Sequence, residues 1–98
     1  DCGAVKATVA GGKAEGHIDA ILQAIRPAVA VARQQPGNLL DNAIVQNVEL
    51  VVRRLQLAQP VLAQALQTGD LKIVGGVYHL KEGSVEWRLP PSLQQLPR

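Results

Sequence analysis

Apolar side chains recur at helical spacing in two long stretches of the chain. The first stretch predicts a helix beginning at Ile18, which Pro27 should kink or restart because proline removes a backbone donor and clashes with the preceding turn. In the second stretch Asn38 is typical of an N-cap and Asp41 stands in the first turn, so a helix should begin there. We expect this helix to reach about Ala58. The two stripes consist of Ile18, Ile21, Leu22, Ile25 and Val29, and of Leu40, Ile44, Val48, Val51 and Leu55.

Shorter runs predict two further helices. Residues 4–7 are compatible with a helix, and a pair of glycines soon afterwards indicates a loop. Another helix is expected at Val61–Gln67, with Pro60 in its first position and Gly69 as its C-cap. Three to four helices are therefore expected in all.

Strand-like sequence is confined to the C-terminal part of the chain. Leu71–Leu80 is rich in β-branched residues and predicts a strand, in which Ile73-Val74 suits a position covered on both faces. Residues 81–84 indicate a hairpin turn and Val85–Arg88 the returning strand, and residues 90–98 are expected to form a loose, proline-containing tail. The fold class is α/β, yet one hairpin is a marginal sheet by itself, so the predicted strand needs further neighbours.

Composition narrows the class of protein. The 98 residues are 47% apolar but contain no Phe or Met, so the core must consist of Ala, Val, Leu and Ile. The net charge of +2 comes from scattered basic residues, and no basic run or aromatic platform predicts a nucleic-acid partner. No apolar stretch approaches the roughly 20 residues of a membrane span, so no membrane partner is expected. A single cysteine allows no internal disulfide.

That cysteine, Cys2, is the main candidate for chemistry. It stands directly before the first predicted helix, and Gly3 leaves the backbone room to turn there. A sulfur at a helix start lies beside unpaired N–H groups and the positive end of the helix dipole, an environment that favours the thiolate. The thiolate is the form that binds metals or attacks electrophiles. The alternative for a lone cysteine is a small, buried apolar side chain.

The other candidates have simpler structural explanations. His17 precedes a helix and is expected to be a polar cap or a surface residue, and His79 is expected to point to the opposite side of its strand from Tyr78. Neither histidine has metal-ligand spacing to Cys2 or to the other. Gly75-Gly76 lacks the spacing of a phosphate-binding turn, and close backbone packing explains it better.

Three segments of the sequence together carry a family resemblance. They are Asp1-Cys2-Gly3-Ala4-Val5-Lys6-Ala7, Asp41-Asn42-Ala43 with Gln46-Asn47-Val48, and Leu71–Tyr78 with Gly83–Glu86. In this order they resemble the segment after the third strand, the long helix, and the last strand with its hairpin in β-class carbonic anhydrases. The spacing is similar up to about Leu89, so the chain is identified as the C-terminal half of such a protein. Residues 1–89 would form the C-terminal part of a single domain, whose last strand and hairpin complete a mainly parallel sheet.

The resemblance also implies a metal site. In that family two cysteines and a histidine hold zinc, and an Asp-Arg pair lies beside it. Cys2 matches the second of these two cysteines, which stands in the pattern His-x-x-Cys-Gly-Ala. The match places Gly3 near the substrate and Asp1 at a variable position. The histidine would lie three positions before Cys2, and the other cysteine belongs to an upstream Cys-x-Asp-x-Arg motif. No catalytic residue therefore falls within this chain.

The activity implied is that of a lyase, the zinc-dependent reversible hydration of carbon dioxide to bicarbonate. The intact protein would be a homodimer or higher oligomer, and this chain alone is expected to be inactive. Some bacterial members use a tyrosine at the place of Tyr78 in a non-catalytic bicarbonate site, although a packing role is the simpler expectation here. Related hydrolases of carbon disulfide or carbonyl sulfide, and a non-catalytic interaction module, are the alternatives. The resemblance is compatible with a location in the bacterial cytoplasm or in the periplasm.

Overall fold

The computed structural model of the protein describes residues 2–88, which form four helices and one two-stranded antiparallel sheet. This mixed α/β content confirms the predicted fold class. The expected tail at residues 90–98 lies outside the described residues, as do Asp1 and Leu89. In chain order the elements are α1 (Gly3–Ala10), α2 (Ile18–Ala32), α3 (Leu39–Gln56), α4 (Val61–Thr68), β1 (Gly75–His79) and β2 (Ser84–Arg88).

Two compact units divide the chain, and the boundary between Asn47 and Val48 falls inside α3. In the first unit α1 packs on α2 and on the beginning of α3. Its core consists only of small aliphatic side chains, in agreement with a composition that lacks Phe and Met. The buried cluster comprises Val5, Ile25, Val29, Ala32 and Ala43.

Helix α2 differs from its predicted form in two respects. It continues from Ile18 to Ala32 through Pro27, so of the two predicted effects, a kink or a restart, the restart is wrong. Pro27 is exposed, and the buried side chains on both sides of it hold the helix against α1. Ile18 and Ile21 are 59% and 54% exposed, although their spacing places them on the apolar stripe. Helix α1 has eight residues against fifteen in α2, so it covers only part of that stripe.

The start of α3 agrees with its sequence signals. Asn38 precedes the first helical residue, and its side-chain oxygen Oδ1 accepts a hydrogen bond of 2.9 Å from the backbone N–H of Asp41. This contact satisfies one of the N–H groups that the first turn of a helix leaves unpaired. The helix ends at Gln56, two residues before the predicted Ala58.

Replacing Asn38 by alanine should lower the free energy of unfolding by about 1 kcal/mol, because the N–H of Asp41 then loses its side-chain acceptor. Urea unfolding of the purified chain, followed by circular dichroism, measures this loss. Asn38→Asp and Asn38→Ser keep an acceptor oxygen and serve as matched controls that should stay near the wild-type midpoint. If the alanine variant unfolds at the same urea concentration as those two controls, the cap contributes nothing to stability.

The second unit contains α4 and the hairpin. Helix α4 runs one residue past its predicted end, and Pro60 occupies the N-cap instead of the first helical position. Gly69 forms the C-cap in the left-handed conformation, at φ 82°, as predicted. Among the described residues no helix is both long and apolar enough to cross a membrane.

The strand predicted at Leu71–Leu80 is shorter than expected, since β1 contains only residues 75–79. The register pairs Gly75 with Arg88 and His79 with Ser84, so every residue of β2 has a partner in β1. Residues 71–74 precede β1 and are not assigned to a strand within residues 2–88. Ile73-Val74 lies just before β1, and Val74 is exposed. Coverage of this segment on both faces stays a prediction for the intact domain. The hairpin turn and the returning strand are confirmed.

One face of the hairpin packs closely on the part of α3 that belongs to the same unit. A Cβ atom built on Gly75 would lie 2.5 Å from Cγ1 of Val48 and 2.8 Å from Cγ2 of Val52. No side chain fits there, which confirms that close backbone packing explains the glycine at this position. On the same face Arg88 bridges the two elements through Nη2, 3.4 Å from Oε1 of Glu49.

Candidate functional site

Cys2 occupies the N-cap of α1, with an extended backbone at φ −98° and ψ 119°. Its carbonyl oxygen accepts the first helical hydrogen bond, 2.9 Å from the backbone nitrogen of Lys6. The thiol makes no capping hydrogen bond, is not in a disulfide and is exposed. The prediction of a cysteine at a helix start is confirmed. The alternative of a buried apolar side chain is wrong for this structure.

The backbone around Cys2 is held in place by the far side of α1. Val5 is almost fully buried, and the buried hydroxyl of Thr8 donates a hydrogen bond of 2.8 Å to the carbonyl of Ala4. At the other end of the helix Arg33 donates from Nη2 to the carbonyl of Val9 at 3.1 Å. The burial of Val5 and the hydrogen bond from Arg33 attach α1 to the core of its unit, whereas the Thr8 bond lies within the helix. Cys2 stays at the exposed end.

Gly3 is the first residue of α1 and is exposed. A Cβ atom built on it would find no other atom within 4 Å, so the helix start faces open space within this unit. The N–H groups of the first helical turn have no acceptors within the helix, and they point out of its N-terminus beside Cys2. The position can therefore present a thiol, helix N–H groups and free space to a ligand.

A zinc ion fits this position only in part. A cysteine sulfur is a good zinc donor, but a zinc site takes three or four protein ligands. Within residues 2–88 no group of three or more His, Cys, Asp or Glu side chains is close enough to hold a metal ion. Cys2 can contribute one corner of a tetrahedral site, and the other ligands would have to lie outside the described residues.

The two histidines belong to different units of the chain, His17 to the first and His79 to the second. His17 is an exposed residue at the N-cap position of α2 and makes no side-chain cap, which confirms the surface role. Nε2 of His79 lies 3.4 Å from Oε2 of Glu86 on the neighbouring strand. Tyr78, on the opposite side of β1, is 59% exposed, so the packing role expected for it is wrong in this unit.

Sequence reasoning missed one polar cluster. Arg88 contacts Glu49 through Nη2 and Glu86 through Nη1, the second at 3.2 Å, and Glu86 also reaches His79. The alternation along β2 places Glu86 and Arg88 on one face, so their contact was predictable from the sequence. Nothing in the sequence pairs that face with Glu49. These groups are partly exposed and connect the hairpin to α3, so their contribution is to structure.

The structure thus defines a mixed α/β protein with a free thiol at a helix N-terminus. A family profile described as "Carbonic anhydrase" matches residues 1–85. The chain is also 35% identical over 91 residues to a carbonic anhydrase of Mycolicibacterium smegmatis (strain ATCC 700084 / mc(2)155). That match covers 89% of this chain and 44% of the relative. No solved structure gives a significant match.

The chain belongs to the carbonic anhydrase family, in the β class that its motifs resemble. It spans less than half the length of the curated relative that it matches. Members of this family are generally zinc-dependent. The family assignment made from the three sequence segments is therefore confirmed.

Proposed function

We propose that the intact protein catalyses the reversible hydration of carbon dioxide to bicarbonate, that Cys2 is one of its zinc ligands, and that residues 1–89 are the C-terminal part of its domain. The main support is that the family match begins at the first residue and so includes Cys2, whose thiol is free and exposed at the start of α1. A thiol in this position is available to a metal without any change in the fold of its unit.

Each residue of the site has a distinct part in this proposal. Bound zinc would supply a Lewis acid that makes water acidic enough to yield hydroxide near neutral pH. Cys2 holds its corner of the ligand set at the start of α1, which the buried Val5 anchors in the core of its unit. The first-turn N–H groups of α1 place positive potential beside the sulfur and its ligands. Gly3 leaves room for a small substrate next to them.

The proposal requires ligands beyond Cys2. A histidine should stand three positions before Cys2, and a second cysteine should belong to an upstream Cys-x-Asp-x-Arg motif. Two thiolates and one imidazole leave the fourth tetrahedral position that a catalytic zinc site keeps open. Sequencing the source gene outward from Asp1 tests this directly. An upstream stretch without the histidine and the second cysteine would favour a non-catalytic module and would remove the enzyme assignment.

The chain by itself should have no activity above that of free zinc. One protein sulfur cannot fix the coordination geometry of the metal or tune its reactivity, because the remaining ligands and their hydrogen-bond partners do both. Stopped-flow measurement of carbon dioxide hydration by the purified chain, with added zinc, tests this expectation. The same chain carrying Cys2→Ser is the matched control and should give the same rate. Zinc-dependent turnover that this substitution abolishes would contradict the prediction.

Two further properties of the intact protein, its substrate and its oligomeric state, can be tested by experiment. Carbon dioxide and bicarbonate are the substrates that the family membership favours. Parallel assays with carbon disulfide and carbonyl sulfide would identify a hydrolase of the same fold. A homodimer or higher oligomer is proposed for the intact protein, and light scattering of the purified material measures it.

A further inference from the structure

We draw no further inference here: the strongest candidate, the exposed apolar face of the β1–β2 hairpin formed by Tyr78, Val85 and Trp87, carries none because nothing among the described residues shows what covers it.

Discussion

Replacing Cys2 by serine in the intact protein is expected to remove bound zinc and carbon dioxide hydration together. A serine hydroxyl is a much poorer zinc ligand than a thiolate, so the tetrahedral set loses one corner. Loss of the outer-shell partners of a metal ligand already costs 10–100-fold, so loss of the ligand itself should lower the activity by at least about 100-fold. Metal analysis of the purified protein and stopped-flow assays at matched protein concentration measure the two effects.

The fold of α1 should survive this substitution, which separates loss of a ligand from loss of structure. The side chain of Cys2 makes no capping hydrogen bond, whereas serine is among the preferred N-cap residues. Circular dichroism and urea unfolding should therefore show an unchanged or slightly more stable protein. A Cys2→Ser protein that keeps its zinc and its activity would show that Cys2 is not a ligand.

Gly3→Ala is the companion variant because it tests the proposed position of Gly3 near the substrate. The added methyl group meets no other atom within 4 Å in this unit, and alanine is the better helix former. The variant should fold normally and keep its zinc, but its activity should fall because the methyl group occupies space reserved for the substrate. Unchanged activity with full zinc content would exclude Gly3 from the substrate site.

Gly75→Ala should produce the largest loss of stability among the glycine substitutions. The new Cβ atom would overlap Val48 and Val52 on α3, at 2.5 and 2.8 Å from their methyl carbons. Both valines are β-branched, and in a helix such side chains have one strongly preferred rotamer, so neither can turn away freely. Relief requires the hairpin to move from α3, which should lower the free energy of unfolding by about 1–3 kcal/mol. Urea unfolding of the purified chain measures the change.

Two other glycines provide a graded comparison for Gly75. A Cβ atom on Gly76 would lie 2.8 Å from Cγ1 of Val85 and 3.3 Å from Cε3 of Trp87, but both side chains are exposed and can shift. Gly12→Ala meets nothing within 4 Å and should leave the stability unchanged. The expected order of destabilisation is therefore Gly75, then Gly76, then Gly12. If Gly75→Ala unfolds at the same urea concentration as Gly12→Ala, the close packing of hairpin and helix does not exist in solution.

Features that depend on a few neighbouring residues were predictable from the sequence. The N-cap at Asn38, the C-cap at Gly69 and the hairpin turn follow from local backbone chemistry, and each was found within a residue or two of its predicted place. Cys2 at the start of α1 belongs to the same class, because its neighbours alone determine that a helix begins there. The family also follows from the sequence, since it depends on short motifs and their spacing.

Features that depend on distant contacts were decided only by the tertiary structure. Periodicity assigns Ile18 and Ile21 to an apolar stripe, but the short helix α1 leaves them exposed. Composition favours a strand from Leu71, but the described pairing begins at Gly75, because a strand needs the backbone of a partner as well as suitable side chains. The role of Gly75 likewise depends on two valines more than twenty residues away in sequence. Local propensity therefore determined where the helices begin and where the hairpin turns, whereas packing between elements determined which residues are covered and where strand pairing begins.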